Sequence, residues 1–220
     1  MPKDEKEIEV GIQKRSFERG ILGNGSNPEA RFIGDYSILE KYVEALRTLE
    51  LSIVLTSGTF DLPHIGHARY LEEAKSYGDV LIVGVDSDEK VRKRKGPERP
   101  VVPENERVDM LAHLRHVNVI TLKQEDDERW ELIRRVAPDT LIITKETYDE
   151  ETKDELRKIC GQVICLEPQA TTSTSAQIRR LQVGWSSKIT NPIEQVLEEH
   201  HASPELRIAI GKIITGRKDD

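Results

Sequence analysis

Two histidines three residues apart, His64 and His67, follow closely on the apolar stretch Ile53-Val54-Leu55. The intervening segment, Thr56-Ser57-Gly58-Thr59-Phe60-Asp61-Leu62-Pro63, reads as a strand end, a tight turn and the approach to a helix. A helix N-terminus presents unsatisfied N–H groups and favours anions. Imidazoles placed there can donate to phosphate oxygens without becoming nucleophiles, which is sufficient chemistry to stabilise a departing pyrophosphate. Gly58 lets backbone amides approach such a ligand closely. Two other readings compete: the histidines could simply cap the helix, or they could be a metal pair. No third histidine or cysteine lies nearby to complete a zinc set, so no protein-bound metal is expected.

A second feature is charge. Lys90, Arg92, Lys93, Arg94, Lys95 and Arg99 put six basic residues within ten positions of a chain whose net charge is −7. Such a loop can close over a triphosphate and neutralise it. By itself the run also fits a solvated loop or a nucleic-acid patch, but the acidic total and the scarcity of aromatics beside it argue against nucleic acid. Beside the histidines the phosphate clamp is favoured, and Lys90 to Pro97 are expected to be a loop ordered only by ligand. A third feature is the hydroxyl run Thr171-Thr172-Ser173-Thr174-Ser175. One hydroxyl is explained as an N-cap; a row of them at a helix start also makes a phosphate site.

These features need a scaffold that collects strand ends. Short, continuously apolar segments recur at Ile53–Leu55, Val80–Val85, Val117–Ile120, Leu141–Ile143 and Val163–Leu166, with helical patterns between them. Strands apolar on both faces belong to a parallel sheet covered by helices. The expectation is a doubly wound, five-stranded parallel α/β sheet. Its ligands should bind at the carboxyl ends of the strands, where strand order reverses. If the first strand is central, that point falls at Ser57 to His67. Leu39, Val43, Leu46 and Leu49 form a helix leading into this core.

Residues 37–186 are read as one domain, with polar extensions at 1–36 and 187–220. A mobile or partner-bound arm is expected over residues 1–34, where Gly23 to Pro28 cluster turn formers. Ile208, Ile210, Ile213 and Ile214 suggest docking on the core or on a second subunit, hence a homodimer. Charged residues are 33% of the 220, which assigns much of the surplus to solvated faces and tails. No apolar run approaches the ~18 residues that cross a membrane, and the N-terminus has no signal-peptide core. Cys160 and Cys165 are read as packing thiols of a reducing, cytoplasmic compartment.

The segment Gly58 to His67, GTFDLPHIGH, resembles the His-x-Gly-His signature of the nucleotidyltransferase superfamily that includes the cytidylyltransferases and the phosphopantetheine adenylyltransferases. Lys93, Arg94, Lys95, Gly96, Arg99, Pro100 and Arg107 resemble the corresponding part of the nucleotidyltransferase domain of bacterial heptose-phosphate enzymes of the ADP-heptose synthase type. Arg92 and Arg94 stand where glycerol-phosphate cytidylyltransferases place phosphate-binding lysines. Ser173, Thr174, Ser175, Ile178 and Arg179 match the superfamily's later hydroxyl-rich stretch. The resemblance spans about Leu39 to Leu181. It implies a Rossmann-like fold and transfer of a nucleoside monophosphate from ATP or CTP to a small phosphorylated acceptor, with magnesium carried on the triphosphate. It further implies that His64 and His67 hold the leaving group, with Arg92, Arg94 and Lys95 on the phosphates. Thr174 and Ser175 would donate to the β- or γ-phosphate, and Ser57, Gly58, Thr59, Phe60, Arg107 and Ser173 would complete the nucleotide site. A sugar phosphate ranks first as acceptor, a polyol phosphate such as glycerol phosphate second, and a flavin or pantetheine third. Asp61, Lys145 and Tyr148 are candidates for the acceptor pocket. The heptose-phosphate enzymes carry Lys-Gly-Gly-Asp-Tyr where this chain has Thr144-Lys145-Glu146-Thr147-Tyr148-Asp149, so base and acceptor stay open. A binding protein without turnover is the alternative to an enzyme.

Overall fold

The computed structural model describes residues 28–144, 148–167, 169, 178, 192–193 and 195–215. The chain divides into two compact units, residues 1–171 and 172–220.

The first unit is built on five strands, β1 (Ile53–Gly58), β2 (Val80–Asp86), β3 (Val119–Lys123), β4 (Thr140–Thr144) and β5 (Gln162–Leu166). All are parallel, in the order β3-β2-β1-β4-β5. The first strand is therefore central, and the order reverses between β1 and β4. Strand alternation divides the core. Ile53 and Leu55 of β1, Val80 and Ile82 of β2, and Leu141 and Ile143 of β4 face α1 (Tyr36–Thr48) and α5 (Glu131–Val136). Val54, Leu81, Val83, Val85, Ile120 and Ile142 face α2 (Ile65–Lys75) and α4 (Glu104–Ala112). The remaining helices are α3 (Asp88–Lys95) and α6 (Glu150–Leu156).

Local chemistry fixes the elements. Asp35 caps α1 by accepting from the Ser37 amide at 2.7 Å, and Leu39, Val43 and Leu46 then bury one face. Asp139, just before β4, accepts from the Ile53 amide at 2.7 Å and sets where β1 starts. The third strand begins at Val119 rather than Val117, because Asn118 turns its side-chain oxygen to the Leu81 amide at 2.9 Å.

Two expectations are corrected here. The end of the N-terminal extension is anchored: Arg31 donates to the carbonyls of Ala112, Leu114 and Val117 at 2.9–3.0 Å, and the Ile33 amide donates to the Ile120 carbonyl at 2.8 Å beside edge strand β3. Only Cys160 is a packing thiol, its pKa pushed up to about 11 by burial, whereas Cys165 is exposed on β5.

In the second unit the described residues include α7 (Pro204–Thr215), started by Ser203, whose hydroxyl accepts from the Leu206 amide at 3.3 Å. Arg207 donates to the carbonyls of Ala202 and Leu197. No helix among the described residues is long and apolar enough to cross a membrane.

Candidate active site

The turn after β1 is held in an unusual shape. Phe60 and Leu62 both adopt left-handed backbone conformations, at φ of 50° and 47°, which costs an L-residue roughly 1–2 kcal/mol each. The Phe60 ring is the compensation. It is buried, packs edge-on to His67 with centroids 5.6 Å apart, and lies over Gly58, where a Cβ would come within 3.1 Å of it. A side chain at position 58 would have to displace that ring by a few tenths of an ångström. Asp61 is also buried, and accepts from the Arg99 side chain and from the amides of Val101 and Val102 at 2.8–3.1 Å. Burial alone would raise its carboxyl, but the two amides and the guanidinium outweigh this and hold it below the usual carboxylate range. Asp61 thereby fastens the loop between α3 and α4 to the turn.

The two histidines start α2. His64 is the N-cap, and its Nδ1 accepts from the Gly66 amide at 3.1 Å. His67, at the third helical position, returns the bond: its Nδ1 accepts from the His64 amide at 3.3 Å. This is a capping box made by two imidazoles. A ring that accepts at Nδ1 carries its proton at Nε2, so both rings offer a donor on the side away from the backbone. The rings are 4.1 Å apart between centroids. Burial, followed by the charges of His64 and Lys95, draws the His67 pKa down to about 4. At neutral pH His67 is therefore an uncharged donor. The cap engages Nδ1 of each ring and leaves Nε2 outside it.

The basic run is a helix rather than a loop. Ser87 caps α3 through the Lys90 amide, Asp88 and Glu89 occupy its first turn, and Arg92 to Lys95 occupy its last, an arrangement favoured by the helix dipole. Val91 is fully buried and pins it. The face bearing Arg94 and Lys95 turns toward the site. Arg94 donates to Thr59 Oγ1 and to Asp86 Oδ2, both at 2.8 Å. Lys95 stands close enough to depress His67, and burial, then Arg94 and Arg99, depress Lys95 in turn. Lys93 pairs with Glu125, and Lys90 donates to the Gln124 carbonyl at 2.6 Å. Arg92 is exposed and has no ion pair among the described residues.

Arg107 has a different role from the one its motif suggested. It is fully buried and spends its donors on the protein: Val102 O, Thr59 O, Asp86 O and Asp88 Oδ1, at 2.5–2.9 Å. Its guanidinium is committed within the protein, where it holds the turn after β1 to the end of β2. Asp86 and Lys123, which sequence reasoning passed over, complete the site. Asp86 is buried at the end of β2. Burial pushes its carboxyl up, yet Lys123 and Arg94 more than cancel this and hold it below the carboxylate range. Tyr148 is near enough for Asp86 to contribute, after burial, to its raised pKa.

The structure thus brings Ser57, Gly58, Thr59, Phe60, His64, His67, Arg94 and Lys95 to one end of the sheet. Lys145, Ser173, Thr174, Ser175 and Arg179 lie outside the described residues. Among the described residues no group of three or more His, Cys, Asp and Glu side chains could hold a metal.

A parallel sheet whose central strand runs into a paired-histidine helix start, with cations from the next helix over the turn, is a site for handling polyphosphate. Residues 55–197 match the cytidylyltransferase-like family. The chain belongs to that family. It is 43% identical over 164 residues to the bifunctional protein HldE of a Nitratiruptor species, covering 74% of this chain and 35% of that one. With the bifunctional protein HldE of Aliarcobacter butzleri the identity is 36% over 171 residues, or 76% of this chain and 34% of the relative. The chain therefore spans about a third of the length of these relatives. Among solved structures, the lipopolysaccharide core biosynthesis protein of Thermoplasma volcanium is 29% identical, with a TM-score of 0.49 over 54% of this chain and 98% of that one.

Proposed function

We propose that the protein transfers a nucleoside monophosphate from ATP or CTP to a phosphorylated sugar, releasing pyrophosphate. The observation that carries this reading is the pair of Nε2–H donors fixed at the start of α2 by reciprocal Nδ1 caps. An oxygen of the acceptor phosphate attacks the α-phosphorus, the bond to the bridging oxygen breaks, and pyrophosphate leaves with the electron pair. His64 and His67 donate to the leaving group, and the helix N-terminus adds its field. Thr59, gripped by Arg94 and Arg107, marks the α-phosphate end; Arg94 and Lys95 neutralise the remaining charge. Magnesium belongs to this proposal as an ion that arrives on the triphosphate and shields it. The buried carboxylates beside the site fit that arrangement, because Asp61 is committed to Arg99 and Asp86 to Arg94 and Lys123.

A sugar phosphate is favoured because the matched relatives are named as HldE proteins and because the run from Lys93 to Pro100 resembles the heptose-phosphate enzymes. The test is pyrophosphate release with heptose 1-phosphate, hexose 1-phosphates and glycerol 3-phosphate, each with ATP and with CTP and magnesium. Turnover of a sugar phosphate is the expected result. A clear preference for glycerol 3-phosphate with CTP overturns the acceptor, and no release with any pair overturns the activity.

A further inference from the structure

The sheet face that carries α1 and α5 changes character toward the carboxyl ends of its strands. Leu55, Ile82 and Val119 stand in register as an apolar row, and the next residues on that face are Ser57, Gly84 and Thr121, also in register. Beyond them Asp86 pairs with Lys123 across β2 and β3. An apolar core thus ends in two polar rows on the ligand edge of the fold.

Gly84 decides where the Lys123 side chain goes. A Cβ there would lie 2.5 Å from Leu132 Cδ2, 2.9 Å from Ser57 Oγ and 3.0 Å from Lys123 Cδ. The missing side chain is a groove, and the stem of Lys123 lies in it. The lysine leans from edge strand β3 across β2 toward the end of β1. Its ammonium stands 3.4 Å from Asp86 Oδ1, an ion contact that leaves this oxygen without an aligned donor. Asp86 Oδ2 is taken by Arg94. One buried carboxylate faces two cations, so the local charge is positive, and the Lys123 side chain remains 23% exposed and reachable. Burial, opposed by Asp86 and reinforced by Lys90 and Arg94, depresses the Lys123 pKa.

Its position suits one of the two anions in the reaction. Leu71 and Ala74 of α2 pack on the other face of the sheet, so the histidines and Lys123 flank the end of β1 from opposite sides. In-line displacement requires the entering and leaving oxygens on opposite sides of phosphorus. We propose that Lys123, with Arg94, binds the phosphate of the acceptor, and that Asp86 is the positioning residue that holds both cations. The proposal rests on the reading that the acceptor is a phosphate monoester.

The test compares wild type with Lys123→Met, which keeps the length of the stem, and Lys123→Arg, which keeps the charge. Loss of a charge-assisted hydrogen bond predicts that Lys123→Met raises the KM for the acceptor about 10- to 100-fold, while the KM for the nucleotide stays within about twofold. Lys123→Arg should recover most of that loss. Calorimetry of inorganic phosphate binding, with the nucleotide site saturated by a non-hydrolysable analogue, should show the same loss and recovery. Should wild type turn over no sugar phosphate, the sugar reading fails while the phosphate titration still decides the role of Lys123. Phosphate affinity equal in wild type and Lys123→Met, or an unchanged acceptor KM, overturns the proposal. A Lys123→Met protein that raises both KM values together overturns it in favour of a purely structural lysine.

Discussion

Replacing His67 separates what the imidazole does for the helix from what it does for the ligand. His67→Ala removes the acceptor for the His64 amide, one hydrogen bond of 3.3 Å in a half-buried capping box. Loss of a cap costs about 0.5–2 kcal/mol, which in a chain of this size lowers Tm by roughly 1–8 °C. It also removes a neutral donor from the leaving-group side, and one preorganised donor of that kind contributes about 2.7–4 kcal/mol to the barrier. The expected kcat is therefore lower by about 100- to 1,000-fold, with far-ultraviolet circular dichroism unchanged. His67→Gln refines the experiment, because a glutamine at the third helical position accepts from the N-cap amide in an ordinary capping box. It should regain most of the lost Tm and little of the lost kcat. Pyrophosphate release at saturating nucleotide and acceptor, with a thermal melt of each variant, reads both quantities. A His67→Ala enzyme within about threefold of wild-type kcat would show that the ring is only a cap, and would refute the leaving-group assignment.

Arg107→Leu should destabilise the protein by about 3–5 kcal/mol, because it strands the Asp88 carboxylate and the carbonyls of Thr59 and Asp86; a urea midpoint within error of wild type would contradict this. Gly84→Ala should cost about 1–3 kcal/mol through overpacking against Leu132, Ser57 and Lys123, and should raise acceptor KM as the lysine stem is displaced; unaltered stability and kinetics would show that the groove is empty. Stability should also fall with acidity in a window set by His67. Its pKa is about 4 folded against an ordinary 6.5, so above 6.5 it is neutral in both states and contributes no pH dependence. Below 6.5 the unfolded chain takes up a proton that the folded chain refuses, and stability declines until the folded ring also protonates near 4. His67→Gln should flatten the fall in Tm between pH 6.5 and pH 5, whereas the depressed carboxyls of Asp61 and Asp86 act below the ordinary aspartate value of 3.8 and leave that window untouched. An identical fall in the variant would mean that other groups set the slope.

Local patterns predicted local structure well. The five parallel strands were legible because apolar runs on both faces admit few arrangements other than a covered parallel sheet, whereas the central place of β1 entered only as a condition that the strand order then met. The basic run misled, because composition alone says that Lys90 to Pro97 cannot pack. The helix there depends on one buried residue, Val91, and on capping and anchoring by Ser87, Glu104 and Arg107, the last two more than ten positions downstream. Arg107 was recognised by its spacing, but its partners Thr59 and Asp86 lie 48 and 21 residues away, so its burial could not be read from the motif. Lys123 gave no signal, being the last residue of an ordinary strand; its relevance depends on a glycine of the neighbouring strand.

The histidine motif shows how far such a reading carries. Helix caps are ordinarily serine, threonine, aspartate or asparagine, with glutamate or glutamine at the third helical position. A capping role therefore predicts hydroxyl or carboxyl oxygens at positions 64 and 67, and the chain has an imidazole at both. The cap uses Nδ1 of each ring and says nothing about why a second nitrogen should follow. A ligand-binding role by itself would require Nε2 and leave the inward nitrogens without a task. The proposed pair of roles would account for the residue type: the backbone contacts at Nδ1 fix the ring planes, and His67, uncharged at neutral pH, would offer its other nitrogen as a donor at a helix N-terminus. Burial, and then the repulsion a positively charged pair 4.1 Å apart would feel, depress the pKa of His67 in the same arrangement.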